Sequence, residues 1–257
     1  MFIPRLVAFD LDDTLAPSKS PVDPRIAELL AALAARVDVA IISGGQLSQF
    51  TAQLVDRLPE LDAATRARIH LMPTCGTQYY RLTESGVEEV YARSLSTAQR
   101  TAAIATLERE ARRLGLWEDA LGWGDIIEDR GSQITFSALG QRAPVDAKAA
   151  WDPSGVKKEA LRIAVAELLP DLEVRSGGST SVDVTERGID KAYGMARLAE
   201  QTGIPLDAML FVGDRLDEHG NDYPVLAMGV RCHAVTGWQD TAAWLATFVP
   251  ELPLATR

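Results

Sequence analysis

The chain has 257 residues, 47% hydrophobic and 24% charged, which suits a globular protein with one large core or two modest ones. Its formal charge of −10 argues against a nucleic-acid partner, whose phosphates draw basic surfaces, and no apolar run approaches the roughly 18 residues that cross a bilayer. Cys75 and Cys232 are too few for a disulfide framework, and Met1-Phe2-Ile3-Pro4-Arg5 lacks the pattern of a secretory leader, so a cytoplasmic protein is expected.

Residues 6–9 form a short apolar run, fit for a strand buried on both faces. Asp23-Pro24 supplies an N-cap and a proline for the first helical position, and Ile26, Leu29, Leu30 and Leu33 follow at helical spacing. Residues 37–42 read as a second buried strand, stopped by Ser43-Gly44-Gly45. A helix is predicted over 46–58 and a third strand over 69–72. Strand, helix, strand in that order predicts a parallel sheet.

The middle of the chain changes character. A long helical pattern over 96–114 is closed by Gly115, and 126–136 is strand-like with a turn at Arg130-Gly131-Ser132. A second helix follows Pro153-Ser154-Gly155 and runs to about residue 169. Two short strands, 172–175 and 181–185, flank Ser176-Gly177-Gly178. This is an α+β pattern. A helix over 190–201 and buried strands over 208–212 and 230–235 then return to the first pattern. The economical architecture is a Rossmann-like parallel core from residues 1–84 and 187–257, with residues 85–186 inserted as a separate α+β domain.

Three strand ends carry polar residues: Asp10 and Asp12, then Ser43, then Asp214. In open parallel sheets ligands bind beyond the carboxyl ends of the strands, so the fold would gather these side chains in one crevice. Several carboxylates in one crevice repel unless a cation balances them, and Mg²⁺ is the hard cation suited to carboxylate and phosphate oxygens. A lone Asp-x-Asp after a strand is ordinarily loop capping. Combined with Ser43, Lys191 and Asn221-Asp222 in this order, it points to a phosphate site. His70, His219 and His233 have no metal-ligand spacing, and Trp117, Trp123 and Trp151 read as packing.

The ordered segments Asp10-Leu11-Asp12-Asp13-Thr14, Ile41-Ile42-Ser43-Gly44, Lys191, and Gly213-Asp214 with Asn221-Asp222 resemble the four motifs of the haloacid dehalogenase superfamily. The resemblance implies Asp10 as nucleophile, Asp12 as general acid and base, and phosphate binding by Ser43 and Lys191. It implies Mg²⁺ held by Asp10, the Asp12 carbonyl and Asp214, with Asp222 in support and Gly44 and Asn221 around them. The insert resembles the cap of the Cof-like and eukaryotic-type phosphomannomutase branch, through Arg130, Ser137 and Gly140 and through 177–184. On that resemblance Arg130, Arg142, Ser181 and Asp183 would contact substrate. The mutases carry an arginine directly after the glycine matched by Gly140; here Gln141 stands there, with Arg142 one place later.

These features predict a phosphatase acting on a small phosphate ester, by resemblance a sugar phosphate, with a hexose-phosphate mutase as the alternative. No nucleic acid or membrane partner is expected, and the chain is expected as a monomer or a cap-mediated homodimer.

Overall fold

A computed structural model describes residues 2–118 and 122–254. The chain divides into two compact units, Met1–Ala92 with Asp190–Arg257, and Arg93–Ile189.

The first unit opens with β1 (Leu6–Phe9), α1 (Pro24–Ala34), β2 (Asp38–Ile42), α2 (Leu47–Gln53), α3 (Ala63–Arg66), β3 (Ile69–Met72), α4 (Pro73–Gly76), β4 (Gln78–Thr83) and β5 (Gly86–Ala92). The second unit contains α5 (Thr97–Arg113), β6 (Ile127–Asp129), β7 (Gln133–Ser137), α6 (Val145–Trp151), α7 (Val156–Leu168), β8 (Leu172–Ser176) and β9 (Ser181–Glu186). The chain then returns to the first unit with α8 (Lys191–Thr202), β10 (Met209–Gly213), α9 (Tyr223–Ala227), β11 (Arg231–Ala234) and α10 (Trp238–Glu251).

The larger sheet has seven strands in the order β11-β10-β1-β2-β3-β4-β5. The first five run parallel; β4 runs antiparallel to β3 and β5 antiparallel to β4, forming a hairpin at one edge. β1, in the middle of this sheet, is apolar and buried at every position because both its faces are covered. Val7 and Phe9 of β1 face a cluster with Ile26, Leu30 and Leu33 of α1 and Leu245 of α10. Leu6 and Ala8 face the opposite cluster, with Met195 and Leu198 of α8. Helix α1 begins where expected, because the Asp23 side chain accepts from the Arg25 amide at 2.9 Å.

The expected division at residue 84 is corrected. Residues 86–92 form β5, which pairs with β4 from Gln78↔Ala92 to Thr83↔Gly86 and so belongs to the larger sheet. Hydrogen bonding to β4 sets where that segment belongs, and nothing local in it marks the difference. The division after the insert falls at Ile189/Asp190 rather than at 186/187. The helix expected over 46–58 is shorter: α2 ends at Gln53, and a 3₁₀ turn occupies Val55–Arg57.

In the second unit the four strands form an antiparallel sheet ordered β6-β7-β9-β8. Ile134, Phe136, Val182 and Val184 share a core with Leu107 of α5 and Leu161 of α7. By the two-residue alternation of strands, Thr135, Ser137, Ser181 and Asp183 lie on the other face. Among the described residues no helix is long and apolar enough to cross a membrane.

Candidate active site

Strand register determines the site. Phe9 is level with Val212 of β10 and with Ile41 of β2, so Asp10, Gly213-Asp214 and Ser43 leave the carboxyl ends of three adjacent parallel strands. The Asp10 amide continues the ladder, donating to the Val212 carbonyl at 3.0 Å. The chain then turns away through Asp13, whose φ of 65° is left-handed, a conformation aspartate tolerates better than most residues.

Lys191, at the start of α8, is 1% exposed and sits between two carboxylates. Its Nζ lies 2.6 Å from Asp10 Oδ1 and 2.5 Å from Asp222 Oδ1. Burial disfavours the ammonium, but the charges of Asp10 and Asp222 outweigh it and hold its pKa above the ordinary lysine value. Burial pushes the Asp10 carboxyl well above its usual range; Lys191 opposes this and the Asp222 charge adds to it. Asp222 also accepts from the Arg215 amide at 3.0 Å, so both its oxygens are engaged. Asp214 accepts from the Thr14 hydroxyl at 3.0 Å, and burial, with help from the Asp222 charge, raises its pKa. Thr14 is held in turn by Thr241, whose hydroxyl donates to its carbonyl at 2.7 Å.

Asp10, Asp214 and Asp222 bring carboxylate oxygens within 4.8 Å of one another. Three carboxylates against one ammonium leave two negative charges uncompensated in a buried site, and all the donors are hard oxygens. That set fits a divalent cation of the Mg²⁺ kind. The Asp12 carboxylate lies outside this group and turns to α2. It accepts from Gln49 Nε2 at 3.0 Å, Gln53 Nε2 at 3.3 Å and the Lys19 amide at 2.7 Å.

Ser43 is buried, and its hydroxyl accepts from the Gly45 amide at 3.2 Å. The turn after β3 clips this loop in place: the Thr74 and Cys75 amides donate to the Gly45 and Ser43 carbonyls at 2.9 Å each. Thr74 and Cys75 adopt left-handed φ of 47° and 55° to do so. Gly44 is only partly buried and a Cβ there would meet nothing, whereas one on Gly45 would lie 2.5 Å from Gln49 Oε1. Asn221 is exposed next to the fully buried Asp222. Close backbone packing shapes that loop, because a Cβ on Gly220 would fall 1.9 Å from the Arg215 carbonyl oxygen.

The four residues singled out in the insert fall within the second unit. Ser181 and Asp183 share the polar face of its sheet, and Asp183 accepts from the Thr135 hydroxyl at 2.7 Å. Arg130, in the β6–β7 turn, is ion-paired with Glu128 at 2.6 Å, and Arg142 is exposed beyond β7.

Gln49, Gln53, Thr14 and Arg215 were not singled out from the sequence. The signal for the first two was their spacing of four on a helix that follows a strand-end motif, which puts both amides on one face.

A strand-end carboxylate, a buried lysine beside it and an acid cluster on this sheet are those of a phosphoryl-transfer enzyme of the haloacid dehalogenase superfamily. The fold is that of a haloacid dehalogenase-like hydrolase from Bacteroides thetaiotaomicron, with a TM-score of 0.64, 16% identity, and coverage of 95% of this chain and 99% of that one. A Plasmodium falciparum IMP-nucleotidase also shares it, with a TM-score of 0.73 and 16% identity over 98% of this chain and 71% of that one. Residues 26–250 match the sequence model described as eukaryotic phosphomannomutase, and the chain belongs to that family. Mouse phosphomannomutase 1 is 25% identical over 255 residues, which cover 92% of this chain and 88% of the relative.

Proposed function

We propose that the protein transfers the phosphoryl group of a hexose phosphate through Asp10 and acts as a mutase of the phosphomannomutase kind. The observation that carries this is the buried Asp10–Lys191 pair at the end of the central strand, in a chain that matches the family across residues 26–250. A carboxylate oxygen of Asp10 bonds to phosphorus as the ester P–O bond breaks, and Asp12 gives its proton to the departing sugar oxygen. In the return step a second sugar hydroxyl takes the phosphoryl group from Asp10 and surrenders its proton to Asp12. Lys191 and the Ser43 hydroxyl orient the phosphate oxygens and balance their charge. Mg²⁺ held by Asp10, Asp214 and the Asp12 carbonyl would neutralise nucleophile and phosphate, supplying the electrostatic relief that two anions need to approach. Asp222, with both oxygens engaged, acts by fixing Lys191 and the 215–222 loop. Ser181 and Asp183 are the proposed sugar-recognising residues, with Arg130 and Arg142 as candidates for a phosphate grip.

One observation favours a second reading, hydrolysis. Gln141 occupies the position where the mutases carry an arginine, so the phosphate grip that a reorienting bisphosphate needs is weakened.

The test is mannose 1-phosphate with Mg²⁺, with and without mannose 1,6-bisphosphate, followed by phosphorus NMR. Mannose 6-phosphate formed only with the bisphosphate supports the mutase. Free phosphate instead supports hydrolysis. Neither product from any hexose phosphate overturns both.

A further inference from the structure

Asp12 is gripped by a device that its proposed role does not by itself require. Gln49 and Gln53 sit four apart on α2, on the same helical face. Their amide nitrogens reach different oxygens of one carboxylate, Gln49 to Oδ2 at 3.0 Å and Gln53 to Oδ1 at 3.3 Å. The two amides are also joined, because Gln49 Nε2 donates to Gln53 Oε1 at 3.2 Å. That bond turns the Gln53 oxygen away from Asp12 and its nitrogen towards it. Gln53 is 3% exposed, and its backbone carbonyl accepts from the Val22 amide at 2.8 Å. Gly45 leaves the space Gln49 occupies, since a Cβ there would stand 2.5 Å from its amide oxygen.

We infer that Gln49 and Gln53 are positioning residues that hold the Asp12 carboxylate in the orientation from which it exchanges a proton with the sugar oxygen. A carboxylate on a loop has two free torsions, and an acid must lie within hydrogen-bond reach of the departing oxygen to be useful. Two linked amides from a helix anchored in the core remove that freedom. Ser43 and the Gln49–Gln53 pair then lie along one stretch, so the loop and helix after β2 serve the phosphate and the proton together.

This rests on the proposed chemistry at Asp10 and Asp12, so the experiment separates the two. Two substrates differ in their need for a proton: an alkyl phosphate such as a hexose phosphate, and p-nitrophenyl phosphate, whose leaving group departs as a stable anion. The double variant Gln49→Leu/Gln53→Leu is expected to lose about 10- to 100-fold in kcat on the alkyl phosphate with KM nearly unchanged. Its single-turnover burst of p-nitrophenol should stay within about threefold of the parent, because that half-reaction needs no acid. Equal losses on both substrates, or no loss on either, overturn the positioning role. Gly45→Ala, whose Cβ would first meet the Gln49 amide, should show the same selectivity and decides the matter if the double variant does not fold. Asp10→Asn is run alongside. If it retains turnover, the chemistry at Asp10 is wrong; if it is inactive while the glutamine variants show no selectivity, the positioning role alone fails.

Discussion

Lys191 and Asp222, 31 positions apart in the chain, meet at 2.5 Å in a site where neither is more than 1% exposed. The same ammonium reaches Asp10 at 2.6 Å, so one buried cation holds the proposed nucleophile and the loop after β10 together. Removing one member of a buried pair strands the other's charge, which ordinarily costs about 3–5 kcal/mol. Asp222→Ala is therefore expected to lower unfolding free energy by about 3 kcal/mol, since Asp10 still partners Lys191. It should also reduce turnover by at least about tenfold. Urea unfolding and steady-state rates check both, and a variant within 0.5 kcal/mol of the parent would show that the pair does not act as described.

The acid cluster makes a separate prediction about metal. A ligand that binds only the folded state at a hundredfold excess over its Kd stabilises that state by about 2.7 kcal/mol. Titrating Mg²⁺ into chelator-treated protein should raise the melting temperature accordingly. The rise should be largely lost in Asp214→Asn, which keeps the side chain's shape and discards its charge. Chelator alone should abolish phosphoryl transfer. An unchanged melting curve with Mg²⁺ in the parent protein would remove the cluster as a metal site.

Gly220 offers a test of loop geometry in which no charged group is touched. Alanine there would place its Cβ 1.9 Å from the Arg215 carbonyl oxygen, a backbone atom that cannot rotate away. The 215–222 loop must open, and with it the contact between the Arg215 amide and Asp222. Gly220→Ala is expected to weaken Mg²⁺ binding by about 10- to 100-fold, the usual effect of losing support behind a metal ligand. Isothermal titration of Mg²⁺ into both proteins measures it.

Tyr79 provides a pH dependence remote from the site. Its ring is 2% exposed on β4, its hydroxyl lies 2.7 Å from His70 Nδ1, and burial raises its pKa to about 12. The phenol ionises near 10 in the unfolded chain, so from there upwards the unfolded state binds fewer protons than the folded one. Stability is thus full below about pH 10 and falls as pH rises towards 12, by on the order of 2 kcal/mol from this residue. Tyr80, also raised to about 12, adds to the loss. Urea midpoints between pH 9 and 11 should fall steadily in the parent and less steeply in Tyr79→Phe. Identical slopes would assign the alkaline loss to other groups.

Much of this was legible in the chain because local chemistry wrote it there. A strand buried on both faces needs a nearly continuous apolar run and must end where the polar residues begin, so residues 6–9, 37–42 and 208–212 announced both the sheet and the positions of Asp10, Ser43 and Asp214. Asp23 announced a helix start for a similarly local reason, since a cap acts on amides two or three residues away; Ser96 and Asp190 cap α5 and α8 in the same way. The hairpin β4–β5 went unassigned, and the division at residue 84 fell inside it. β4 mixes buried and exposed positions without strict alternation and β5 has no buried position, so neither carries a clear periodicity.

The sequence alone therefore determined which residues stand at the ends of buried strands, and in what order along the chain. Tertiary structure decided which sheet β5 joins, that Lys191 bridges Asp10 and Asp222, and that Asp12 turns towards Gln49 and Gln53, 37 and 41 positions away. The reason is range. Strand and cap preferences act over a few residues, whereas a hydrogen bond across tens of residues exists only after strand register has set which side chains meet.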